Sequence, residues 1–224
     1  MTTPQETPAD LAPKAATWQE LSGRISACTA CAELAATRTH VVVGVCPPGA
    51  DVLLVGEAPG AQEDAEGIPF VGRAGRLLDE LLAEAGLPRD RIAVANVLKC
   101  RPPGNRKPTR EETQRCRPWL SRQIALIGPR VICLLGGTAA AWALGGPVKI
   151  GEVRGRPIEQ DGRTLVVTYH PSAAIRFGPQ GAPRAALRED LRLVAELARP
   201  AEAGAGAPSP SAAAPVAGGR KADR

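Results

Sequence analysis

Four short apolar runs punctuate the chain: residues 52–55, residues 92–98, Val131–Leu135 and Arg163–Thr168, each cut off by glycine, proline or a polar turn. Runs of this length, rich in valine and leucine and lacking strict alternation, are read as strands buried on both faces. Between them lie stretches at helical spacing. Leu77, Leu78, Leu81, Leu82 and Ala85 form a stripe that stops at Gly86, and Leu187, Leu191, Val194 and Leu197 line one side of a closing helix over residues 184–198. Thr109-Arg110-Glu111-Glu112 fits a capping box opening a long helix, which Pro118 is expected to kink just after Cys116. A short helix carrying Trp18, Leu21 and Ile25 comes before these, then a candidate short strand over residues 41–45.

Strands alternating with helices predict a parallel sheet covered on both faces, with right-handed crossovers. The turns after the strands then share one edge, where open α/β folds bind ligands. Three of them carry chemistry: Gly56-Glu57-Ala58-Pro59-Gly60, the Pro-rich loop over residues 99–108, and Tyr169-His170-Pro171-Ser172. Their convergence predicts a concave site with an acid, a histidine and a basic rim.

The two ends differ from the rest. Residues 1–16 are rich in Pro, Thr and Ala, and residues 200–224 are almost entirely Ala, Gly, Pro and Ser. Both are expected to be disordered for want of large apolar residues, leaving one domain over residues 17–199. Net charge is +5, and residues 99–130 hold nine Lys or Arg against two Asp or Glu, so the excess suits a polyanionic partner or a solvated helix face. No apolar run is long enough to span a membrane and no secretory leader is visible, so a cytoplasmic protein without a membrane partner is expected. In that compartment six cysteines are read as reduced or metal-bound.

Cys28-x2-Cys31 with Cys100 and Cys116 makes a split set of four, whereas Cys133 lies mid-strand as a small buried thiol and Cys46 has no evident partner. Four thiolates suit zinc or an iron–sulfur cluster alike, and the spacing leaves both open. Asn96, at the end of an apolar run, is a residue that must find polar partners if buried.

Taken together, Gly56-Glu57-Ala58-Pro59-Gly60 with Glu63-Asp64, Pro69-Phe70-Val71-Gly72, residues 96–103 (Asn-Val-Leu-Lys-Cys-Arg-Pro-Pro) and His170-Pro171-Ser172 closely resemble the family 4 uracil-DNA glycosylases. The likeness runs in order from about Trp18 to Leu197. It implies an α/β/α sandwich around a four-stranded parallel sheet, and a [4Fe–4S] cluster on Cys28, Cys31, Cys100 and Cys116. It implies a monomeric base-excision repair enzyme that flips uracil out of single- or double-stranded DNA and leaves an abasic site. By the same resemblance, Gly56, Ala58 and Gly60 form one wall of the uracil pocket, Phe70 stacks on the base, and Asn96 reads its O4 and N3–H edge. His170 stabilises charge on O2 as uracil departs. Better-known uracil-DNA glycosylases carry a water-positioning Asp where this chain has Ala58, so Glu57 is the candidate for holding the water or the cationic sugar. Glu63 is assigned the space that excludes the thymine methyl. Arg101, Arg106 and Lys107 are assigned to phosphates, and residues 172–176, including Ser172 and Arg176, to a loop wedged into the minor groove.

A non-catalytic iron–sulfur DNA-binding module is the alternative, although DNA binding alone needs none of Asn96, Phe70 and His170. A related uracil-DNA cross-linking protein carries a histidine in a basic loop; residues 101–107 here contain none.

Overall fold

The computed structural model describes residues 6–199; the expected disorder of residues 1–5 and 200–224 lies outside them. In chain order the elements are α1 (Pro8–Leu11), α2 (Trp18–Ser26), α3 (Ala32–Thr37), β1 (Val52–Gly56), α4 (Ala61–Glu66) and α5 (Arg73–Glu84). There follow β2 (Ala93–Asn96), α6 (Arg110–Ile127), β3 (Val131–Leu135), α7 (Gly137–Leu144) and α8 (Ile150–Val153). The chain ends with β4 (Pro157–Gln160), β5 (Arg163–Thr168), α9 (Pro171–Phe177) and α10 (Ala182–Ala198).

The sheet runs in the order β2-β1-β3-β5-β4. Its first four strands are parallel, as the apolar runs predict. The fifth corrects the four-stranded expectation: β4 pairs antiparallel with β5, giving a mixed sheet. Its strand is half exposed and carries one large aliphatic residue, Ile158, so no apolar run marks it. The turn that makes it was nevertheless present in the sequence. Asp161 (φ 51°) and Gly162 (φ 72°) form the left-handed Asp-Gly pair that closes a two-residue hairpin.

Alternate residues of the strands face opposite layers. Leu54, Val94, Cys133 and Val166 pack against Leu78 and Leu81 of α5 and Leu187 and Leu191 of α10. Leu53, Ala95, Leu134 and Val167 pack against Leu120 of α6 and Ala139 and Ala140 of α7. This is a three-layer α/β/α sandwich. The capping box at Thr109 is formed, its hydroxyl accepting the Glu112 N–H at 3.1 Å while Glu112 accepts the Thr109 N–H at 2.8 Å.

Helix α6 runs from Arg110 to Ile127 through Pro118 as a single element. Two further expectations are revised. Residues 41–45 contribute one bridge, Val45 to Val94, and no strand. Residues 8–16 are packed: Ala12 and Ala15 are buried with Leu21, Ile25 and Trp119, and Arg122 donates twice to the Ala15 carbonyl, at 2.6 and 2.9 Å. The folded part therefore begins ahead of residue 17. Small side chains suffice there because the indole of Trp119 supplies the bulk. Among the described residues, no helix is long and apolar enough to cross a membrane.

Candidate active site

The turns after β1, β2 and β5 open on one edge of the sheet around a cleft of about 250 Å³. Glu57, Ala58, Gly60, Glu63, Phe70, Asn96 and His170 line it, with Pro102, Asn105 and Arg106 entering from the loop after β2. The convergence expected from the sequence is therefore present.

Gly56 stands opposite Asn96 in the β1–β2 register. A Cβ on Gly56 would lie 2.6 Å from Cζ of Phe70 and closer still to Oδ1 of Asn96. Gly56 thus leaves the space that these two side chains occupy. Asn96 is 2% exposed and its Oδ1 is buried without a hydrogen-bond partner. Such an atom costs about 1–3 kcal/mol in a folded chain, so its persistence marks a group kept for a ligand.

Phe70 has φ 56°, a left-handed backbone that an aromatic residue rarely adopts. A Cβ on Gly75 would collide with the Phe70 carbonyl, so the first turn of α5 presses on this residue and holds it in place. Its ring lies 5.8 Å from that of His170, tilted by 33°. Glu63 also lines the cleft, but both its oxygens are engaged: Gly60 N–H donates to one at 3.1 Å and Gly72 N–H to the other at 2.9 Å. Its carboxylate fastens the start of α4 to the start of α5. Helix α4 follows directly on the Gly56–Gly60 turn.

Glu57 accepts a hydrogen bond from Thr138 Oγ1, and its main-chain carbonyl accepts the Leu98 N–H at 3.0 Å. Thr138 escaped the sequence reading. The Gly-Gly-Thr that follows the third strand was its signal, and Gly136 (φ 91°) lets the His170 turn come close, 3.0 Å from an added Cβ to that of His170.

His170 caps α9. Its Nδ1 accepts the Ser172 N–H at 3.2 Å and lies 2.8 Å from Ser172 Oγ. A ring nitrogen that accepts a backbone N–H carries no proton, so the neutral ring bears its hydrogen on Nε2. Burial lowers the pKa to about 4, with the nearby Glu63 carboxylate opposing in part. At neutral pH the side chain is an uncharged donor. His40, the other histidine, is structural: its Nδ1 is 2.8 Å from the Asp64 carbonyl and its N–H meets the Asp64 carboxylate.

The basic rim is smaller than its sequence suggests. Arg106 donates to both oxygens of Glu112, at 2.7 and 3.0 Å, and to Glu33 at 2.9 Å. These bonds hold Glu112 down at about 2 and neutralise the guanidinium, so Arg106 braces the loop and is not a free phosphate contact. Arg101 donates from Nε to Asn105 at 2.7 Å, and Lys107 is exposed. The assignment of residues 172–176 as a wedge also changes. Ala174 is buried and Ile175 packs on the core, whereas Ser172, Arg176 and Phe177 form the exposed stripe of α9, with Phe177 64% exposed.

Behind the cleft, Cys28, Cys31, Cys100 and Cys116 ring a small cavity walled also by Pro8, Arg38, Lys99 and Trp119. Arg38 donates to Cys100 Sγ at 3.0 Å and to the Cys28 carbonyl at 2.7 Å. Burial pushes Cys31 up to about 11 and Cys116 up to about 12, opposed in part by Arg115 at Cys31 and Lys99 at Cys116, while Arg38 opposes the same rise at Cys100. Among the described residues no group of three His, Cys, Asp or Glu side chains is placed to hold a metal ion. Four thiols around a cavity are the donor chemistry that zinc and iron–sulfur clusters both take. Cys133 is fully buried on β3, and Cys46 is not part of the ring.

Residues 43–192 match the family model of the Uracil DNA glycosylase superfamily. The chain belongs to that superfamily. This superfamily member is 48% identical over 158 residues to the Type-4 uracil-DNA glycosylase of Thermotoga maritima, spanning 70% of this chain and 82% of the relative. It is 41% identical over 181 residues to that of Archaeoglobus fulgidus, spanning 77% and 89%. To that of Sulfurisphaera tokodaii it is 39% identical over 192 residues, spanning 80% and 84%. The superfamily match takes in the whole cleft with Cys100 and Cys116, while Cys28, Cys31 and α1 precede it.

Proposed function

We propose that this chain excises uracil from DNA, hydrolysing the N-glycosidic bond and leaving an abasic site. The observation that carries the reading is the unpartnered Oδ1 of buried Asn96, in a cleft shared with a neutral His170. Uracil offers an N3–H that Oδ1 can accept and an O4 that the same amide can bond. Cytosine reverses both, leaving two buried groups without partners. Phe70 supplies a face for a flipped base. As the bond breaks, negative charge gathers on O2, and His170 Nε2–H stabilises it without having to lose a proton. Glu57, steadied by Thr138, is the carboxylate for the attacking water or the cationic sugar.

Cys28, Cys31, Cys100 and Cys116 would hold a [4Fe–4S] cluster, which orders the Pro-rich loop between Asn96 and α6. DNA reaches the cleft across Arg101, Lys107 and the α9 stripe of Ser172, Arg176 and Phe177, so binding weakens steeply with salt. The test is incubation with a uracil-containing oligonucleotide, followed by alkali to cleave abasic sites. Strand scission is expected for uracil and not for cytosine or thymine; no scission from either single-stranded or U:G substrate would overturn the proposal. Iron analysis should give about four atoms per chain; zinc in its place would refute the cluster.

A further inference from the structure

Lys99 lies between the two sites. It is 1% exposed, three residues after Asn96 and one before Cys100. Its Nζ donates to the Asn96 carbonyl at 2.7 Å and to Gln123 Oε1 at 2.5 Å. Gln123, also fully buried, donates onward to the Val43 carbonyl at 2.8 Å. Both acceptors of the ammonium are neutral, and no ion pair with a carboxylate is formed among the described residues. A buried ammonium without a counter-charge is costly. Lys99 also lines the cysteine cavity, beside Cys100 and Cys116.

We propose that Lys99 is a positioning residue that joins the cysteine site to base recognition, its ammonium countering the thiolates on one side while anchoring the Asn96 main chain on the other. The inference rests on the reading of Asn96 and the four cysteines given above. With the carbonyl of Asn96 held from below, its peptide cannot rotate, and the side-chain amide keeps the register that Gly56 leaves room for. An ordinary core contact would not need a charge at this point, because a methionine would fill the same volume.

The test uses the iron-loaded protein and two readouts. One is binding to a single-stranded oligonucleotide carrying 2′-fluoro-2′-deoxyuridine, which resists cleavage, compared with the same strand carrying a tetrahydrofuran abasic analogue. The other is the midpoint potential of the cluster. Lys99→Met is expected to weaken uracil binding about tenfold, leave abasic binding within twofold, and lower the potential by removing a nearby positive charge. Movement of only one readout, or of neither, would overturn the coupling. Gln123→Glu keeps the fold if Lys99→Met does not, because it places a carboxylate against the ammonium. It should lower the potential while uracil binding stays within twofold, and an unchanged potential would overturn the inference. Wild-type protein that holds no iron or releases no uracil would instead refute the functional reading itself.

Discussion

The cleft at the strand ends and a second one, bounded by α6, α7 and the β4–β5 hairpin, are close in size, about 250 and 290 Å³. In the second, the two arginines are engaged by main-chain carbonyls. Arg117 donates to the Trp142 carbonyl at 2.6 Å with its guanidinium 4.6 Å over the indole, and Arg163 donates to the Asp161 carbonyl at 3.2 Å. Its buried orphan among the described residues is a donor, Trp142 Nε1, under that same guanidinium. In the first, an unpartnered amide oxygen, a histidine of fixed tautomer, a carboxylate and a left-handed phenylalanine share the same space. Volume does not separate the two. What separates them is where hydrogen-bonding capacity and backbone strain have been left unspent.

The contrast can be broken most sharply at His170. His170→Ala is expected to lower kcat by about 10²- to 10³-fold with little change in KM, as for loss of an oxyanion donor; a loss below tenfold would remove it from that role. Its pH behaviour adds a check. With its folded pKa lowered to about 4 by burial, kcat/KM should run flat through pH 6.5 and fall only as pH approaches 4. The sign for stability agrees: the unfolded chain takes up the proton first, so stability present above pH 6.5 is lost as pH falls towards 4. An inflection near 6.5 that disappears in His170→Ala would contradict the neutral donor.

Next comes Asn96→Ala, expected to cost about 10- to 100-fold in kcat/KM for uracil while abasic DNA binds as before. Equal losses on both ligands would mean that the cleft had collapsed. Phe177→Ala should weaken duplex binding about fivefold, the scale of one stacking contact, and leave folding intact, as its side chain is exposed. Unchanged affinity would take the end of α9 out of the DNA interface. Smallest of all is Arg117→Ala in the second cleft. It should lower stability by about 0.5–1 kcal/mol, the worth of an exposed cation–π contact, with kcat/KM within twofold. A tenfold loss of activity there would show that the second cleft also serves the reaction.

The parallel core was legible because its strands are buried on both faces and write themselves as unbroken apolar runs. Glu57, Asn96 and His170 were legible because each ends such a run. Strand β4 was not, since an edge strand needs little apolar content, although its Asp-Gly turn stood in plain view. The burial of residues 8–16 depends on Trp119, more than a hundred positions away, and no local composition reveals it. Arg106 misled for the same reason. A cation in a Pro-rich loop looks free until Glu33, 73 residues upstream, is found against it.

Helix α1 has four residues and little stability of its own; it stays docked through Pro8 at the cysteine cavity, Ala12 and Ala15 around Trp119, and the bonds from Arg122. The N-terminal segment thus supplies one wall of the thiol cavity, and its packing ties that wall to Trp119 of α6. A chain trimmed to begin at Thr17 would keep every residue of the cleft while the thiol cavity lost Pro8 from its wall and Trp119 lost Ala12 and Ala15 from its surroundings.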